Sequence, residues 1–146
     1  MAAPLLERHL CPSTHHTLVV WQRADDLFVD VHQLTRTSFP EFERFEFGSQ
    51  LRRAAYSVAA NVVEGSEREH KRERLDFLSV SRASLAEVGY CLHVAKRLGY
   101  IDADKFNAFD LSVRRVSAAL HGYIRAIKEG RAPYPPHSWR QSIAAP

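Results

Sequence analysis

Apolar residues recur along this chain with a helical period in four separate stretches. In residues 18–36, Val20, Ala24, Leu27, Val31 and Leu34 fall on one stripe at heptad-like spacing. Leu51, Ala55, Val58 and Val62 repeat the pattern in residues 43–64. A third stripe uses Leu75, Leu78, Leu85, Val88, Leu92 and Ala95, with Ser81 or Arg82 in its gap. The fourth runs from Phe106 through Phe109, Val113, Val116, Leu120 and Ile124 to Ile127 in steps of three and four. No segment alternates as a strand would. The pattern predicts an all-α protein, an antiparallel up-and-down four-helix bundle, with Leu51, Val58, Leu78, Leu85, Val116 and Leu120 in its core.

Punctuation residues set the expected boundaries. Pro40 disfavours helical geometry at Phe39 and so ends the first helix. Gly48 falls inside the second helix at a cost of about 1 kcal/mol, and Gly65 offers it a C-terminal stop. The third helix can open anywhere from residue 67 to residue 71. His70 and Glu73 lack the hydroxyl of a capping box, whereas Ser66 and Glu69 supply one four residues earlier. Gly99 and Gly130 are placed as C-caps of the third and fourth helices, and Asp102 as the N-cap of the fourth. The expected organisation is an N-terminal arm over residues 1–17, the bundle over 18–130, and a Pro-rich tail over 131–146. Tyr134 and Trp139 would let that tail act as a docking peptide, but a tail without fixed structure is the simpler expectation.

Composition narrows the class. The 146 residues are 45% hydrophobic and 25% charged, which suits one globular domain. No apolar run is long enough to span a bilayer, and Glu7, Arg8 and His9 interrupt the place of a signal peptide. With only Cys11 and Cys91, a reduced, cytoplasmic protein is expected. The net charge of +3 is uneven: residues 1–48 carry 4 basic and 7 acidic side chains, residues 49–98 carry 9 and 6, and residues 99–146 carry 7 and 4. An acidic first part with a basic remainder can assemble with its own copies, or offer a basic face to a polyanion.

Chemistry is hard to find. Glu67-x-x-His70 has the local pattern of a di-iron ligand pair, yet a di-iron bundle needs two such motifs and two further carboxylates, and no second Glu-x-x-His exists. The adjacent pair His15-His16 does not converge on one ion, and Cys91 and His93 do not share a helix face. There is no phosphate loop, zinc spacing or nucleophile elbow. The expectation is a non-enzymatic protein with no metal, cofactor, membrane or small-molecule substrate. Asn61 and Glu64 are read as hydrogen-bonding to a neighbouring helix and to the turn, and Arg52 as pairing with an acid on another helix.

One run carries more. Residues 49–65 read Ser-Gln-Leu-Arg-Arg-Ala-Ala-Tyr-Ser-Val-Ala-Ala-Asn-Val-Val-Glu-Gly. This resembles the signature of the 23S ribosomal RNA intervening-sequence proteins, with Ala59 where that family usually has proline. The likeness extends to Val20-Trp21-Gln22, Phe77-Leu78-Ser79 and Ser84-Leu85-Ala86-Glu87. It implies a four-helix bundle of poorly defined cellular role. Related accessory proteins of diversity-generating retroelements form basic pentamers that partner a reverse transcriptase and nucleic acid. The resemblance therefore implies a homo-oligomeric ring, with five copies favoured, acting as a scaffold. The alternative is an accessory protein that binds RNA or single strands. For the ring, Trp21 and Phe28 on the flank of the first helix and Leu111, Ala118 and Gly122 on the fourth are the candidate contact surfaces. For a nucleic acid or partner, the candidates are Arg53, Arg68, Lys71, Arg72 and Arg74. The competing reading of that cluster is a self-cancelling surface, because Glu67, Glu69, Glu73 and Asp76 interleave with it.

Overall fold

The computed structural model describes residues 18–132, and the expected arm and most of the expected tail lie outside them. Helix α1 spans Val19–Thr37, α2 Phe47–Ser66, α3 Lys71–Arg97 and α4 Ala103–Lys128, with a short 3-10 turn at Glu41–Glu43 between α1 and α2. Each helix packs on its chain neighbour, and α4 closes on α1, which is the up-and-down arrangement. Among the described residues there is no strand, and no helix is long and apolar enough to cross a membrane.

Burial follows the stripes. The six core residues expected from periodicity are all buried. They divide between two apolar clusters. The larger holds Leu27, Val31, Leu51, Val58, Leu92 and Val116; the smaller holds Val20, Val62, Leu78, Leu120 and Ile127 towards the other end. Ser81 fills the gap in the α3 stripe. It is fully buried because its Oγ donates to the Val58 carbonyl at 2.7 Å, satisfying a hydroxyl that burial would otherwise penalise.

The caps at α4 and behind α3 follow expectation. Asp102 Oδ1 accepts from the Lys105 amide at 2.8 Å. Gly99 and Gly130 take φ of +77° and +69°, where a side chain would be strained.

Four local expectations are overturned. The second helix opens at Phe47, because Phe39 is buried and stacks on Phe47 with ring centroids 5.6 Å apart, pinning a connector there. Gly48 lies inside α2 as expected, and is also a packing requirement: a Cβ there would lie 2.9 Å from the Glu43 carbonyl oxygen. Gly65 stops nothing. The helix continues through Ser66, and the missing Cβ admits the Arg74 carbonyl of α3, which would stand 3.2 Å from it. Ser66 Oγ donates back to the Val63 carbonyl at 2.7 Å, so the substitute capping box does not open α3, whose N-cap is His70 with no side-chain cap. Arg52, in turn, meets a hydroxyl and a carbonyl where an acid was expected. Its guanidinium donates to Thr35 Oγ1 at 2.8 Å and to the Arg44 carbonyl at 2.7 Å, tying the connector to both helices it joins.

Candidate interaction site

The signature run builds a groove. Ser49, Gln50, Arg53, Ala54 and Ser57 recur on one side of α2, as steps of one, three and four residues require. Across from them stand Ser84 and Glu87 of α3, from the second run that carries the family resemblance. Phe45 of the connector closes one end, and the cavity measures about 450 Å³. Gln50 Nε2 donates to Glu87 Oε1 at 3.4 Å, and the Ser57 and Ser84 hydroxyls are 2.8 Å apart. Asn61 Nδ2 donates to the Ser57 carbonyl at 2.8 Å and to its Oγ at 3.0 Å. Asn61 thus bonds back along its own helix, where a bond to a neighbouring helix was expected. Short polar side chains on both helices let the backbones approach and satisfy one another. Below them Cys91 is buried. Burial first, and the nearby Glu87 carboxylate second, push its thiol up to about 11, so it stays protonated and unreactive.

The expected basic cluster does not form one site. Arg53 is exposed on the α2–α3 groove, roughly 20 Å along α2 from its end at Ser66, beyond which Arg68 lies. Arg68 is half-exposed, pairs with Glu64 at 3.1 Å, and lies 4.8 Å from the centre of the Phe77 ring. Lys71 Nζ donates to the Lys128 carbonyl at 2.6 Å. Arg72 is exposed. Arg74 is only 5% exposed, which removes it from any outward cluster. It donates to the Ala132 carbonyl at 3.0 Å and the Tyr123 hydroxyl at 3.1 Å, while its Nε has no partner. Lys71 and Arg74 therefore meet carbonyls at and beyond the end of α4, where the helix dipole favours cations. A second basic stretch lies on α4. From Leu111 to Lys128 there is no acid, while Arg114, Arg115, Arg125 and Lys128 are all exposed.

The candidate aromatics of α1 lie between core and surface. Trp21 is half-buried against the Val20–Leu120 cluster, and Phe28 packs edge-on to Tyr56 with centroids 5.7 Å apart. Both mainly widen the core. Leu111, Ala118 and Gly122 do lie on the outside of α4. The most exposed aromatics among the described residues are Phe42 and Phe45 on the connector, at 71% and 86%, followed by Tyr90 of α3 and Tyr56 of α2 at 67% and 60%. The signal of that connector was present in Glu-Phe-Glu-Arg-Phe-Glu over residues 41–46, whose phenylalanines belong to no core stripe.

Among the described residues no group of three or more His, Cys, Asp or Glu side chains could hold a metal ion. The model of the family described as 23S rRNA-intervening sequence protein matches residues 16–122. Among solved structures, the chain is similar to a protein of unknown function from the S23 ribosomal protein family of Bacteroides thetaiotaomicron. That match has 20% identity and a TM-score of 0.68, and covers 73% of this chain and 98% of the other. At that identity the likeness establishes the fold. No curated protein matches the sequence.

Proposed function

The chain belongs to the 23S rRNA-intervening sequence protein family, and from that premise we propose that it is a non-enzymatic, self-assembling scaffold. The observation that carries this reading is the pair Phe42 and Phe45. Two phenylalanines stand largely in water within four residues of one connector, where a lone monomer gains nothing from them. The outer face of α4, with Leu111 half-exposed, supplies a second and unlike apolar surface. Contacts between unlike faces generate rings when the rotation closes, and five copies is the number carried over from the family resemblance. The decisive measurement is solution mass by light scattering at micromolar concentration. A multiple of 16.6 kDa is expected, and the monomer mass would refute the reading.

A second reading is supported by the acid-free stretch of α4. Repeated around an assembly, Arg115 and Arg125, with Arg114 already paired to Asp110 at 2.8 Å, would make a basic band for RNA or single strands, in line with the accessory-protein resemblance. Labelled RNA titrated at low and physiological salt tests it. Binding should fall steeply with salt and weaken when the three arginines are replaced by Gln. Arg68 and Arg72 replaced by Gln form the comparison set, since they remain outward at the turn between α2 and α3.

A further inference from the structure

We propose that the hollow between α1 and α4 receives the Phe42–Phe45 connector of a second copy; this rests on the self-assembly reading and assigns its two mating surfaces. In a bundle whose neighbours run α1–α2–α3–α4–α1, the α1–α4 seam lies on the side opposite the α2–α3 seam. Phe45 borders the α2–α3 groove. The α1–α4 seam opens into a hollow of about 330 Å³ floored by Leu34, Ala108 and Phe109. Thr37, the last residue of α1, lines that hollow, and Lys105 beside it donates to Ser38 Oγ at 2.8 Å. The hollow is therefore at the connector's end of the bundle. Projection and hollow stand at similar heights on opposite faces, so the same contact repeats from copy to copy with the bundles side by side.

The seam sets Arg23, Lys105 and Arg115 against Asp26 and Asp30, a net +1 that complements an acidic occupant. Residues 41–46 carry Glu41, Glu43 and Glu46 against Arg44 alone, a net −2 beside the two phenylalanines. The α4 wall of the seam presents Lys105 and Arg115, and Arg23 of α1 donates to the Arg115 carbonyl at 3.2 Å. The α1 wall presents Asp26 and Asp30. An acidic aromatic segment seated here places its carboxylates against α4 and its rings on the apolar floor, with Asp30 as the one opposing charge in the hollow. The two charges lining that hollow thus act with opposite sign. Removing Lys105 weakens assembly and neutralising Asp30 strengthens it.

Sedimentation velocity across a concentration series tests the assignment. The double variant Phe42→Ala, Phe45→Ala keeps its helix content, because both rings are exposed, and assembles about 30-fold more weakly or worse if these are anchor residues. Lys105→Glu weakens assembly, and adding Glu41→Lys with Glu46→Lys restores it; Asp30→Asn tightens it. A chain with Phe42→Cys mixed with one carrying Ala108→Cys, both in a Cys11→Ser background, forms a disulfide between copies. If the parent assembles but the phenylalanine variant assembles equally well, the assignment is wrong while the self-assembly reading stands. Assembly unaffected by Ala108→Trp, which fills the hollow, leaves that hollow to another occupant and also overturns the assignment. A monomeric parent refutes the self-assembly reading and this inference with it.

Discussion

The two seams on opposite sides of this bundle use similarly small residues and reach opposite outcomes. Between α2 and α3, small residues face small residues. Ser57 meets Ser84, Ser81 meets the Val58 backbone, and Gly65 meets the Arg74 carbonyl. The helices approach until hydroxyls bond across them, beside the groove of about 450 Å³ that Ser57 and Ser84 also line. Between α1 and α4, small residues on α4 such as Ala108 and Ser112 face Asp30 and Gln33 on α1. Those longer polar groups need water or a partner, and the hollow of about 330 Å³ lies between them. A stripe of small residues therefore does not by itself imply a tight contact. What closes a seam is the size and polarity of the residues opposite.

The largest effect expected is on the closed side. Leu85 is buried behind the α2–α3 seam, so Leu85→Ala should cost roughly 2–5 kcal/mol in urea denaturation. A loss well below 1 kcal/mol would contradict this register. Next comes a matched pair of enlargements. Ser81→Leu must fit three carbons where one Oγ sits 2.7 Å from a carbonyl, and should cost about 1–3 kcal/mol through overpacking, plus the lost hydrogen bond. Ala108→Leu adds similar bulk to the open seam and should leave monomer stability within about 0.5 kcal/mol. Equal losses at both sites would erase the contrast between the seams.

Smaller again is Ser57→Ala, which removes the hydroxyl pair with Ser84. A cost of about 0.5–1.5 kcal/mol is expected, readable as a shift in the denaturation midpoint. The mildest test concerns Cys91 under the closed seam. With its thiol raised from 9.0 to about 11, the folded protein at pH 8 should hold about 100-fold less thiolate there than an ordinary cysteine, and the buried sulfur should react more slowly with a disulfide reagent. The sign of the linked stability follows. Below pH 9 the thiol is neutral whether folded or unfolded, and its contribution is complete. As pH rises from 9 through 11, the unfolded chain ionises first and that contribution is lost. Reagent uptake at pH 8 as fast as that of a free thiol would show that the seam opens readily.

Much of the fold was legible in the chain itself. Periodicity alone identified the six buried core residues, because a helix repeats its faces every 3.6 residues whatever it packs against. Asp102, Gly99 and Gly130 were legible for a similar reason: a cap is local chemistry between a side chain or a φ angle and the adjoining backbone. Gly65 was visible but misassigned, and the packing role of Gly48 was not legible, since each admits a carbonyl from outside its own helix. The candidate site divides the same way. Residues of the signature run converge on one groove, as helical spacing requires, but only the packed α3 supplies Ser84 and Glu87 opposite them. Arg72 and Arg74 differ by two positions and read alike as cations, yet one is exposed and the other is buried against Tyr123 and Ala132. The sequence by itself determined four helices, their core faces and three of their caps, all of which depend on neighbours a few residues away. Only the tertiary structure decided which small residues close a seam, which cations are consumed by the end of α4, and which aromatics are left in water. Each of these depends on what a distant helix places opposite, and spacing along one strand of sequence carries no record of that.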